Sequence, residues 1–199
     1  MRMKQTKFDP MLKQIFNPML KYIDDGKFFR EPFKWLYAIL GILNLLAPIG
    51  VLVFIIDSGF FKIASGGMIV AFILMWLILC LVMWFGFLLW WNRREKVYHA
   101  SAQGDDFVAI PVYSHFIQTI GEWIGMIVGI GGPLFTLIAL IFGEGGQVTA
   151  LMMKVPYGPS FWYIILLPIG GFLIVVMARA LAEMLRALAA IANNTRHRE

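Results

Sequence analysis

Cysteine is nearly absent: Cys80 stands alone among 199 residues, so no disulfide forms within the chain and a disulfide-stapled secreted domain is excluded. Charge is scarce too, with Asp, Glu, Lys and Arg making up 15% of the residues, against roughly a quarter in an ordinary soluble domain. In their place 60% of the chain is hydrophobic and 15% aromatic, and the mean hydropathy is +0.75. A chain this short keeps too large a surface fraction to hide that excess in one core. A bilayer must act as its solvent, which excludes a soluble enzyme, a disordered chain and a collagen-like fibre together.

Catalytic constellations are missing as well. His99, His115 and His197 are isolated, without the spacing that a haem or a metal pair needs. No phosphate-binding Gly-rich loop, His-Glu-x-x-His or Gly-x-Ser-x-Gly motif occurs. Ser114 and His115 with Asp105 and Asp106 come nearest to a hydrolytic or metal site, but the loop holding them offers no water-excluding cleft. The sequence therefore predicts no enzyme, no cofactor, no metal and no soluble small-molecule substrate.

What the chain does have is four apolar stretches of the length a spanning helix requires, about 20 residues: 35–56, 68–91, 116–142 and 161–180, the last running on to 192. Asp57-Ser58-Gly59, Asn92 to Lys96 and Gly143 to Gly146 punctuate them. The expected fold class is an all-α membrane protein with four transmembrane helices, an N-terminal amphipathic segment (1–34) and a short basic tail (193–199). Basic residues set the orientation. Segments 1–34, 92–115 and the C-terminal end carry all the Lys and Arg except Lys62 and Lys154, which predicts cytoplasmic termini in a bacterial inner membrane. The net charge of +5 then reflects topology and anionic headgroups, with no nucleic-acid partner.

Residues 1–34 contain no apolar run of signal-peptide length, so no cleaved targeting segment is expected. They do contain a repeat, Asp9-Pro10-Met11-Leu12-Lys13-Gln14-Ile15 and Asn17-Pro18-Met19-Leu20-Lys21-Tyr22-Ile23, in which Asp or Asn before Pro starts a short helix. Phe8, Leu12, Ile15, Phe16 and Leu20 fall on one face, suited to the membrane surface or to a partner's groove.

The second span is apolar all round, which predicts broad lipid contact, with Trp90 and Trp91 in the interfacial aromatic belt and Cys80 as packing filler. In the third span Gly121, Gly125 and Gly129 recur every four residues, followed by Gly131-Gly132-Pro133, a spacing that lets two helices approach closely. Pro48, Pro133 and Pro168 predict kinks whose freed carbonyls need other donors. Glu122 lies inside the third span, where a carboxyl is a candidate proton- or ion-handling group, within reach of His115 or Arg94. On the fourth helix Arg179, Glu183 and Arg186 share a face, so that Glu183 is placed to bridge both arginines. With Leu181, Leu185 and Leu188 beside them they form a candidate docking surface. Segment 143–160, rich in Gly and Pro, is read as an entrance or a loop re-entering the outer leaflet.

The segments Phe116-Ile117-Gln118-Thr119-Ile120-Gly121-Glu122-Trp123 and Arg179 to Thr195 resemble parts of a family of small bacterial membrane proteins. Members of that family accompany the proton-channel motor that energises TonB-dependent outer-membrane uptake. The resemblance covers about the last 85 residues and implies a partner rather than a mechanism. The motor's own channel subunit would carry a larger cytoplasmic domain. The sequence thus points to a non-enzymatic accessory subunit surrounded by lipid and by other integral membrane subunits. The alternative is a small homo-oligomeric transporter or channel built around Glu122.

Overall fold

A computed structural model describes residues 27–100, 109–142 and 160–196, with Asn17, Pro18 and Tyr22 besides. The surface-helix residues Phe8, Leu12, Ile15, Phe16 and Leu20, the loop at 101–108 and segment 143–159 lie outside the described residues. The described part is helical: α1 (Lys27–Asp57), a single turn α2 (Phe60–Ile63), α3 (Gly66–Tyr98), α4 (Ala109–Met126), a π-helical turn (Ile127–Gly131), α5 (Gly132–Ile141) and α6 (Phe161–Arg196). Four helical stretches are long and apolar enough to cross a membrane: Phe28–Asp57, Gly66–Tyr98, Ala109–Ile141 and Phe161–Thr195. The chain is an all-α four-span protein. Helix α1 starts before the expected boundary at 35, and α4 begins at Ala109 with Pro111 in its first turn, where a missing N–H breaks no hydrogen bond.

The turn between α1 and α3 is closed locally. Gly59 sits at φ 72, a left-handed conformation open to Gly at little cost, and its N–H bonds the Ile56 carbonyl at 3.1 Å. Ser65 then caps α3 by accepting from the Met68 N–H at 3.3 Å.

The helices form a row rather than a closed bundle. Helix α1 packs along α3, α3 touches α4 and α5, and α6 lies along α4, the π turn and α5. Two apolar clusters fill the two ends. Ile55, Phe60, Phe72, Met75 and Ile138 make one; Tyr37, Trp90, Val97 and Val112 make the other. One expectation for α3 is refined here and one corrected: much of the helix surface is open, as broad lipid contact requires. Its buried residues Ala71, Met75, Val82, Gly86, Trp90 and Val97 recur at helical spacing, so one face is committed to protein although the sequence shows no polar face. Trp90 does not belong to an interfacial belt: it is 1% exposed and meets Tyr37 edge-on at 5.0 Å. Trp91 is the outer member of the pair, with the Arg94 guanidinium 3.9 Å from its ring, a cation–π contact.

The proline positions also acquire specific partners. The Trp76 indole N–H donates to the Pro48 carbonyl at 2.9 Å, joining α3 to α1 at the proline. Just before Pro133, the Gly132 N–H reaches back five residues to the Ile127 carbonyl, so the helix widens into a π turn where side-chain-free residues permit it.

The glycine ridge seats α6. A Cβ on Gly121 would run into the Ala178 side chain, one on Gly125 would lie 2.6 Å from the Gly171 carbonyl, and one on Gly132 would lie 2.8 Å from Leu167. From the other side, a Cβ on Gly171 would lie 2.6 Å from the Gly129 Cα. Backbone faces backbone here, as small-residue packing in lipid demands. Gly171→Leu is expected to separate α4 from α6. The penalty exceeds the about 1–3 kcal/mol of ordinary overpacking, because the obstacle is main chain. Thermal unfolding of the detergent-solubilised protein checks it, with Gly170→Leu, which meets nothing within 4 Å, as the neutral comparison.

Candidate functional site

One turn of α4 concentrates polar side chains in the midst of this apolar chain. Gln118 and Glu122 are four residues apart and stack on one face, and the Gln118 amide donates to Glu122 Oε1 at 2.9 Å. The same oxygen accepts from Arg179 Nε of α6 at 2.8 Å. The other carboxylate oxygen is ion-paired to the Arg93 guanidinium of α3. A carboxylate in the middle helix of the row is therefore gripped by an arginine from each neighbour. Glu122 is only 10% exposed and Arg93 18%, whereas Arg179 is 54% exposed.

The cluster branches in both directions. Arg186 Nη2 donates to Gln118 Oε1 at 2.7 Å, extending the contact with α6 by two turns. Arg93 Nη1 donates to the Thr119 hydroxyl oxygen at 3.2 Å. That oxygen also accepts from the buried Tyr37 phenol at 3.1 Å, while the Thr119 hydroxyl donates to the His115 carbonyl at 2.8 Å. One turn deeper, the Trp123 indole donates to Asn44 Oδ1 at 2.8 Å, and the Asn44 amide donates to the Leu40 carbonyl at 2.7 Å. Gly86 makes room for this bond, since a Cβ there would collide with the Asn44 amide. Polar groups in an apolar setting are costly unless bonded, and these have partners. Trp90 is the exception: among the described residues its buried Nε1 has none.

The structure brings Glu122, Arg179 and the glycines Gly121, Gly125, Gly129 and Gly132 together at the α4–α6 contact. It corrects two expected pairings. Glu122 pairs with Arg93 rather than Arg94 or His115, because Arg94 is turned onto Trp91 and Glu95, 3.6 Å away. Glu183 does not bridge the arginines of its own helix. It is exposed and makes no ion pair among the described residues, since Arg179 and Arg186 turn toward the buried acceptors of α4. Sequence reasoning passed over Arg93 as a loop cation, and over Gln118, Thr119, Tyr37 and Asn44. The signal for Gln118 was present: it lies four residues before Glu122. For Tyr37 and Asn44 no local signal existed, because their partners are 82 and 79 residues away.

Among the described residues no group of His, Cys, Asp and Glu is arranged to hold a metal ion. The geometry is that of an electrostatic clamp across three helices. No family model matches the chain, and comparisons with curated proteins and with solved structures yield no match.

Removing one member of such a low-exposure pair leaves an uncompensated charge and costs about 3–5 kcal/mol. Glu122→Gln is expected to destabilise the fold by that order, while Arg179→Gln, at the exposed arm, costs about 1 kcal/mol or less. Combining Glu122→Gln with Arg93→Gln should recover part of the loss. Unfolding midpoints of the three variants check this ordering, and equal losses for Glu122→Gln and Arg179→Gln would contradict it.

Proposed function

We propose that this chain is a non-enzymatic accessory subunit of a larger bacterial inner-membrane complex, and that this complex is a proton-motive-force-driven motor of the TonB-energising type. The observation that carries the reading is the outward face of α6. Its 36 residues rise about 54 Å at about 1.5 Å each, well beyond a hydrocarbon core of about 30 Å. Leu181, Met184, Leu188 and Ile191 are exposed at its far end, past the clamp that marks the edge of the apolar region. Apolar residues outside the hydrocarbon core gain nothing from lipid tails, so a contiguous set of them marks a protein contact. Glu183 stands exposed beside them as a charge for a partner to read. In this reading the glycine ridge and the clamp hold α6 rigidly, and the partner docks on the opposite face.

A second reading, a small homo-oligomeric transporter or channel using Glu122, is favoured by the open groove beside that residue. It is disfavoured by the two guanidinium groups that occupy the carboxylate.

Purification of the tagged protein from its native membrane in gentle detergent, with quantification of what accompanies it, tests the proposal. A stoichiometric integral-membrane partner is expected, and Leu188→Glu should reduce its recovery about tenfold or more, as loss of an interface hot spot does, without lowering the unfolding midpoint of the isolated chain. Recovery as a lone species or a homo-oligomer would overturn the reading. Proton flux into proteoliposomes that Glu122→Gln abolishes would replace it with the transporter.

A further inference from the structure

Beside the clamp, on the side away from α1, α3 and α4 diverge to leave an open groove of about 530 Å³. Its walls change character along its length. Phe85 and Leu89 of α3, Met126 of α4 and Ile130 of the π turn line one part, whereas Asn92, Arg93 and Lys96 line the end nearest Glu122. The change occurs over a defined distance. From Phe85 to Lys96 the helix rises about 16 Å, close to half of a hydrocarbon core of about 30 Å. The groove therefore matches one leaflet, with its cations at headgroup depth and its apolar part ending near the midplane.

The charge at that end is unbalanced. Arg93 and Lys96 line that end with Glu122 as the anion between them, and Arg179 reaches the same carboxylate from α6. Lys96 is exposed and makes no ion pair among the described residues. Arg179 spends its Nε on Glu122 while the side chain remains 54% exposed. An occupant that fits both halves carries a negative headgroup and at least one acyl chain. A partner helix would have to bring both an acidic side chain opposite Arg93 and Lys96 and an apolar side chain between Leu89 and Met126, whereas a phospholipid carries both in one molecule.

We infer that this groove is a binding site for one anionic phospholipid, phosphatidylglycerol or cardiolipin, whose phosphate is held by Lys96 beside Arg93 and whose acyl chain lies between Leu89 and Met126. Basic pockets between transmembrane helices at the positively charged side of a membrane protein recognise such headgroups, and the basic loops assign this end to the cytoplasmic leaflet. The lipid completes the row of helices by filling the groove between α3 and α4. The site stands independently of the accessory-subunit reading, because lipid binding is measured on the isolated chain.

The test uses the full chain in detergent, with native mass spectrometry during titration by phosphatidylglycerol, cardiolipin or phosphatidylethanolamine of matched chains. One anionic lipid per chain is expected to survive at detergent concentrations that strip phosphatidylethanolamine. Lys96→Gln should weaken it about fivefold, the factor that one basic residue near an anionic surface contributes. Lys62→Gln, at the opposite end, should leave it unchanged. Leu89→Trp, which fills the groove, should displace the lipid while Lys96 remains. Equal retention of zwitterionic and anionic lipid, or an unchanged affinity in Lys96→Gln, overturns the inference. Competition by glycerol phosphate as effective as by the whole lipid overturns the acyl half of it. A photoactivatable phosphatidylglycerol with its reactive group mid-chain gives a check on the unmodified protein: adducts at Leu89 or Met126 are expected, and labelling elsewhere with none there refutes the site.

Discussion

The approach of α4 and its π turn to α6 through Gly125, Gly129 and Gly171 is the contact on which the remaining geometry depends. Lipid tails are as apolar as leucine, so helices in a bilayer are held by close packing and by hydrogen bonds rather than by expulsion of water. Side chains of ordinary size along this line would push α6 outward, as the collision of a Cβ on Gly171 with the Gly129 backbone shows. Arg179 would then no longer place its Nε 2.8 Å from Glu122, and Arg186 would no longer reach Gln118. The ionic clamp is a consequence of glycine packing. The two features cooperate, since proximity makes the ion pairs short and the ion pairs fix the rotation of α6 about its axis.

The clamp in turn decides what the carboxylate can do. An isolated acid within a span is a natural candidate for carrying protons. With both oxygens engaged by arginines from two different helices, Glu122 ties α3 to α6, which share little surface with each other. The Tyr37–Thr119–Arg93 chain brings α1 into the same network. Four spans are thus linked at one level by side chains that would be expensive to bury singly.

Much of this architecture was legible in the sequence. Span number and the glycine seam follow from run length and four-residue spacing, both of them local signals. The pairings did not follow. Arg93 and Arg94 are adjacent, and which of them turns inward depends on the azimuth of α3, set by Met75, Val82 and Trp90 on its buried face. In a helix without a polar stripe nothing local reveals that azimuth. Glu183 misled for the opposite reason: its spacing from Arg179 and Arg186 suits a ladder along α6, but the arginines find more buried acceptors on α4. The π turn was foreshadowed by Gly131-Gly132-Pro133 without being specified by it, because a proline can also sit within a continuous α-helix, as Pro48 does.

The row arrangement has a consequence for biogenesis. Helices α1 and α3 are consecutive spans and bury their large apolar residues mainly against each other, and α6 packs chiefly on the stretch from α4 to α5 that precedes it. Most contacts are therefore close in sequence, the circumstance that favours rapid assembly. As spans leave the ribosome in order, the first hairpin has its main packing partners in place before the second exists. The Arg93–Glu122, Tyr37–Thr119 and Asn44–Trp123 bonds then join the first hairpin to the second.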